Sequence, residues 1–216
     1  MRTMIGIVGY YGFVRAYPLG PELMERLRAL HWPHDVDIRE LNWGPVAIVQ
    51  DFQASAAKPE RVVLVGALDR GLAPGTVSCR RWAGGQLDAA AVQRRMFEAV
   101  TGVISLDNLL VIGAHFGIWP PDTFSVELQW PESGLGDLVL GEIELGLGRG
   151  RGRSRVVGEG PLSADNERTV NELLAAIRSI AVAGGSPAMD RLTVETLTPV
   201  AAVLHHRFVD DPGLPS

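Results

Sequence analysis

Few residues in this sequence have types and spacing suited to chemistry. Cys79 is its only cysteine, and Arg80 and Arg81 follow it directly. Two guanidinium groups beside a thiol could favour the thiolate and lower its pKa. The expected reading is nonetheless a structural cysteine after a strand. Asp69-Arg70-Gly71 follows the apolar run Arg61 to Val65. An acidic residue there stands past the carboxyl end of a strand, where open α/β sheets place their ligands. The alternative for Asp69 is a solvated turn aspartate. The five histidines are His31, His34, His115, His205 and His206. His31 and His34 flank Trp32-Pro33 in a connection and are expected in solvent. His115 closes an apolar stretch and is expected in the core or at its rim. His205 and His206 are adjacent, so on a helix or strand they point different ways and share no metal. Neither an HExxH helix motif nor a GxSxG elbow occurs.

Two loops carry weaker signals. Gly6-Ile7-Val8-Gly9-Tyr10-Tyr11-Gly12 superficially suggests a dinucleotide loop, but its spacing is GxxGxxG rather than GxGxxG. Glu40 is the only acidic candidate for a ribose contact near the end of the second strand, and an apolar residue follows it. The loop still borders the expected pocket. Arg149, Arg151, Arg153 and Arg155 alternate with small residues in the segment 148–155. That spacing suits a phosphate or an acidic protein face, or simply a solvated loop. It has no interleaved aromatics, which argues against single-stranded nucleic acid.

Composition limits the function classes. The chain has 216 residues, 46% hydrophobic and 21% charged, with a formal net charge of −5. These values fit a globular chain with a sizeable core, and the net charge gives no reason to expect nucleic-acid binding. All but one of the twenty basic side chains are arginine, Lys58 being the exception. One cysteine excludes an internal disulfide framework and CxxC metal knuckles, and fits a reducing, cytoplasmic setting. No apolar run approaches the ~20 residues of a membrane span, so no membrane association is expected. The start of the chain reads as a first strand and not as a signal peptide.

The elements that must position these residues follow from periodicity. Met4 to Val8 reads as a buried strand feeding the glycine loop. Pro21 to Leu30 repeats Leu23, Met24, Leu27 and Leu30 at helical spacing. Val36 to Leu41 alternates as a half-buried strand, and Val46 to Ala56 forms a weaker helix. Arg61 to Val65 is a continuous apolar run, the mark of a strand buried on both faces of a parallel sheet. Thr76 to Arg80 is a short strand. Leu87 to Val100 and Ser105 to Gly117 are helices, and Thr123 to Trp130 is an alternating strand. Leu138 to Leu147 adds a further strand. Ser163 caps a long amphipathic helix reaching Ala183, and residues 210–216 read as a frayed tail. The order predicts a three-layer α/β/α fold around a mostly parallel central sheet. It occupies residues 1–183, with a C-terminal extension over 184–216.

Several segments together resemble the hydrogenase maturation endopeptidase family. Val36-Asp37-Ile38-Arg39-Glu40-Leu41 through the run from Val62 to Val77 is similar to that family's second strand, helix and "strand, Asp-Ala, short loop, Pro-Gly-Thr" segment. Here Pro74-Gly75-Thr76 supplies the last part. Ser105 to Leu110, Pro120-Pro121 and Ser125 to Leu128 resemble its later helix and strand. Gly160-Pro161-Leu162-Ser163 resembles the start of its C-terminal helix. The resemblance implies a fold of the hydrogenase maturation protease type. It also implies a role in trimming the C-terminus of the nickel–iron hydrogenase large subunit.

The resemblance further implies a metal held by an acidic residue in the first loop, an aspartate after the third strand and a histidine before a later helix. This sequence departs at all three. The first loop offers Arg15, Ala16 and Tyr17, the Asp-Ala position reads Gly66-Ala67, and the histidine position falls near Thr101. A divalent site needs two or three anionic or imidazole ligands, and these residues provide none. The expectation is therefore a degenerate, non-proteolytic maturation factor with no metal, no cofactor and no catalytic residues. It would bind a hydrogenase subunit, the large subunit first, as an assembly factor. Tyr10, Arg15, Tyr17, Asp69 and Thr101 would edge the binding pocket, with Arg15 pairing a carboxylate of the bound tail. Two alternatives stay open. One is an active metal-dependent endopeptidase whose site draws on Asp69 or Asp107. The other is a small-molecule or nucleotide binder on a similar scaffold.

Overall fold

The computed structural model describes residues 1–9, 17–41, 44–85, 87–100, 105–129, 162–186 and 188–197, with side chains to residue 96 in the fourth segment. Six strands and five helices are described: β1 (Thr3–Ile7), α1 (Pro21–Ala29), β2 (Val36–Glu40), α2 (Pro45–Ala54), β3 (Arg61–Leu68), β4 (Val77–Gly84), α3 (Ala89–Val100), α4 (Leu106–His115), β5 (Asp122–Gln129), α5 (Ala164–Ala183) and β6 (Asp190–Thr193). The strands form one sheet in the order β2-β1-β3-β5-β4-β6. β2, β1, β3 and β5 run parallel, β4 runs against β5, and β6 runs with β4.

β3 lies inside the sheet, as its unbroken apolar run predicts. It pairs with β1 on one side and β5 on the other, and Val62, Val63, Leu64 and Val65 are all fully buried. Alternate residues feed two cores. Val62 and Leu64 join Ile48, Val49 and Phe52 of α2, Val92 of α3 and Leu109 and Ile112 of α4. Val63 and Val65 join Leu23, Met24 and Leu27 of α1 and Val170, Leu173, Ile177 and Ile180 of α5. Helices therefore cover both faces, and the architecture is the three-layer α/β/α sandwich with a mostly parallel sheet that the sequence predicts.

Helix boundaries follow local chemistry. Pro21 and Pro45 open α1 and α2, where the missing N–H costs nothing. The Ser105 and Ser163 hydroxyls accept the Asn108 and Asn166 N–H groups and cap α4 and α5. Gly184, at φ +85°, ends α5 in the left-handed region and donates its N–H to Ile180 O. β4 runs longer than its sequence suggests, through Arg81 and Trp82 to Gly84. β5 starts at Asp122, and β6 adds an edge strand beyond residue 183. The strand expected over 138–147, the arginine-rich segment 148–155 and the tail over 210–216 lie outside the described residues.

Candidate functional site

Three features converge at the carboxyl end of β3 and β5. The first is the loop 69–76 between β3 and β4. The second is the first turn of α4. The third is an unusual stripe on β5, where Thr123, Ser125, Glu127 and Gln129 alternate with Phe124, Val126 and Leu128. The apolar set packs toward α1 and α5. The polar set is buried too. In the ladder Thr123 opposes Val62, Ser125 opposes Leu64 and Glu127 opposes Gly66. The polar stripe thus shares the sheet face that α2, α3 and α4 cover. Alternation here marks two buried faces of different chemistry, not one wet face and one dry.

A buried carboxylate on such a stripe must be paired to remain charged. Glu127 accepts from Arg70 Nε at 2.9 Å, from Arg70 Nη2 at 3.1 Å and from the Ser125 hydroxyl at 2.8 Å. Arg80 Nε adds an ionic contact at 3.3 Å. Asp107, in the first turn of α4, takes the far side of Arg70: Nη2 to Oδ1 is 2.7 Å and Nη1 to Oδ2 is 2.9 Å. The three side chains are nearly sealed from solvent, at 7% exposure for Arg70, 3% for Asp107 and 1% for Glu127. Burial works against the Arg70 charge, but hydrogen bonds to Glu127 and Asp107 outweigh it, and the guanidinium is held above its ordinary value. Arg95 of α3 donates to Asn108 at 2.8 Å and extends the polar layer between sheet and helices.

The loop that delivers Arg70 is pinned independently of that side chain's charge. Gln129 Oε1 accepts the Arg70 and Leu72 N–H groups at 2.8 and 3.3 Å, and its Nε2 donates to Asp69 at 2.9 Å. The Gln129 backbone bonds to Gly75 N and Thr76 O. Gly71 and Gly75 turn the chain at φ +69° and +78°, in the left-handed region that favours glycine. Asp69 is an exposed turn residue. The Gln129 amide and then the Gly71 N–H hold its carboxyl below the usual range.

Of the residues expected to edge a pocket, Tyr10, Arg15 and Thr101 lie outside the described residues. Tyr17 is 5% exposed and packs in the apolar cluster with Leu19 and Leu23 on the α1–α5 side. Asp69 anchors the loop beside Arg70. Cys79 follows the structural reading, not the activated one. It is half-buried, and burial and then the Glu127 carboxylate push its pKa up. Its neighbours are occupied elsewhere: Arg80 turns to Glu127, and Arg81 lies 5.6 Å from the Phe124 ring centre. His115 is exposed at the end of α4, a correction to its expected place in the core or at its rim. His31 and His34 are in solvent as expected.

Of the positions where the family resemblance implies a metal ligand, Gly66 is described. Gly66 has no donor atom, and Leu106 covers it. A Cβ built at Gly66 would lie 3.1 Å from both Leu106 Cβ and Cδ1 and 3.4 Å from the Val8 carbonyl oxygen. Among the described residues, no three His, Cys, Asp or Glu side chains gather as a metal-binding group. No described helix is long and apolar enough to cross a membrane. The sequence points to Asp69 and Asp107 separately. It does not single out Glu127, nor Arg70 as the cation that joins Glu127 to Asp107, and the signal that bears on them is the polar parity of β5.

No protein-family model matches the chain, and no curated protein matches its sequence. Several solved structures are similar to it over most of its length. The endopeptidase HycI from Escherichia coli is 17% identical, with 90% of this chain and 99% of that one covered and a TM-score of 0.47. The hydrogenase 2 maturation peptidase from Thaumarchaeota archaeon SCGC_AB-539-E09 is 14% identical, covering 84% and 99%, with a TM-score of 0.41. The NiFe hydrogenase maturation protease HycI from Thermococcus kodakarensis KOD1 is 16% identical, covering 83% and 91%, with a TM-score of 0.41.

Proposed function

We propose that this chain is a non-proteolytic relative of the hydrogenase maturation endopeptidases that works as a cytoplasmic assembly factor, binding a hydrogenase subunit at the carboxyl edge of its sheet. The Pro74-Gly75-Thr76 loop after β3 and the order of the matching segments support the kinship. The observation that carries the loss of metal chemistry is the packing of Leu106 on Gly66, where the family pattern asks for an aspartate. That position has no side-chain oxygen to offer, and a side chain there would crowd Leu106. The nearby carboxylates of Asp107 and Glu127 are committed to Arg70, so they are poor substitutes. In this reading Arg15 anchors a carboxylate of the hydrogenase tail, and Tyr10 and Thr101 line the same edge.

Two measurements test this. Titration calorimetry with nickel and zinc should show no tight stoichiometric site. A tight site abolished by Asp69→Asn or Asp107→Asn, with cleavage of a large-subunit precursor, would establish the active endopeptidase instead. A pull-down from the native host should retrieve a hydrogenase subunit, and Arg15→Ala should weaken capture by roughly 1–3 kcal/mol without loss of stability. Wild-type protein that retrieves no hydrogenase subunit ends the proposal.

A further inference from the structure

We infer that Arg70 is the resident cation of this site: with the Arg80 guanidinium 3.3 Å from Glu127, it offsets the buried Asp107 and Glu127 carboxylates from within the chain, so that the layer needs no external metal. The geometry is that of a planar ligand in a fitted slot. Four N–H···O contacts of 2.7–3.1 Å join the guanidinium to both carboxylates, with Asp107 engaged fork to fork. A spherical divalent ion would have to compete at Glu127 with the hydrogen donated by the Ser125 hydroxyl and with the positive charge of Arg80 at 3.3 Å. The layer also adjoins the crowded position at Gly66. Gly66 is the ladder partner of Glu127, and Leu106, which covers Gly66, immediately precedes Asp107.

The walls of the slot stand without the side chain that fills it. Asp107 belongs to a capped helix and Glu127 to a strand paired on both sides. The loop backbone is held by Gln129. Truncating Arg70 should therefore leave a preformed vacancy for a small planar cation rather than a collapsed core. This inference rests on the layer alone. The hydrogenase reading fails if no subunit is captured, and this one fails on the outcome below.

The test is chemical rescue of the full-length protein. Arg70→Ala should lower Tm by several degrees. Millimolar guanidinium chloride should restore much of that loss along a saturating curve, because a ligand specific to the native state stabilises it by mass action. Wild type should not respond, nor should Arg70→Met, whose stem fills the slot. Arg70→Ala combined with Asp107→Asn should lose the response, and zinc and magnesium should not produce it. If Arg70→Ala does not fold, the yield of refolded protein with and without guanidinium replaces Tm as the readout. A missing response in Arg70→Ala, an equal response in wild type, or stabilisation by zinc in place of guanidinium would each overturn the assignment.

Discussion

Arg70 and Asp107 meet fork to fork across 37 residues of sequence, Nη2 2.7 Å from Oδ1 and Nη1 2.9 Å from Oδ2, both side chains sealed from solvent. Asp107→Asn removes one of the two carboxylates on Arg70 and leaves the guanidinium bonded to Glu127. It should therefore destabilise the protein by roughly 1–3 kcal/mol in urea unfolding, the cost of buried charge-assisted hydrogen bonds left unmade. Replacing Arg70, Asp107 and Glu127 together by apolar residues of similar volume should cost far less. A triple variant as unstable as the single one would show that the layer stabilises the fold directly.

The close approach at Gly66 predicts a steric cost. Gly66→Ala puts a methyl 3.1 Å from Leu106, which must give by a few tenths of an ångström to accept it. Overpacking of this kind costs roughly 1–3 kcal/mol. Denaturant unfolding checks it. A neutral result would mean that α4 gives way and that the position is more tolerant than its packing shows.

Tyr17 separates two uses of the first loop. Its ring lies in the α1–α5 core, so Tyr17→Ala should lower stability by roughly 3–5 kcal/mol, the range for a large aromatic lost from a core. Thermal unfolding before any binding assay decides the matter. Full stability with weakened capture of a hydrogenase subunit would assign Tyr17 to the interface after all.

Cys79 should be unreactive at neutral pH. Its thiol is raised by burial and by Glu127, so iodoacetamide should modify the native protein much more slowly than a free cysteine at pH 7, with the rate climbing only in the alkaline range. Rapid modification at pH 7 would show that the thiolate is stabilised by something other than its described neighbours.

Asp69 gives the protein an acid limb. Its native carboxyl is held below the ordinary value of 3.8, so its stabilising effect is complete above that value. It is lost as pH falls through the lower native value, when protonation disrupts the contacts with Gln129 and Gly71. Asp69→Asn should flatten this part of the stability–pH profile. An unchanged profile would assign the acid sensitivity to other carboxylates.

The fold was readable where one residue type dominated a short span. The apolar run of β3 can only be an interior strand. The spacing of Val170, Leu173, Ile177 and Ile180 can only be one face of a helix. The site was less readable because its meaning lies in pairings across distant segments. Thr123 to Gln129 announces a strand by alternation, yet periodicity does not say which face meets water, and here neither does. Arg70 reaches partners 37 and 57 residues away. The expected influence of Arg80 and Arg81 on Cys79 fails in two ways: Arg80 points to the opposite face, and Arg81, on the same face, turns to Phe124 and Asp122, so the charge that matters comes from β5.

The consecutive arginines of β4 also bear on how that strand finds its place. Arg80 faces the carboxylates, while Arg81 faces the ring of Phe124 on the reverse side. A slip of one residue would exchange them, and each face would receive an arginine as before. Charge alone is therefore blind to the error. Trp82 is not, since the same slip would pull it from the cluster it shares with Leu192, and Cys79 would leave the opposite core. In this strand the bulky ring and the thiol act as proofreaders of alignment, and the arginines on either side of the decision are interchangeable.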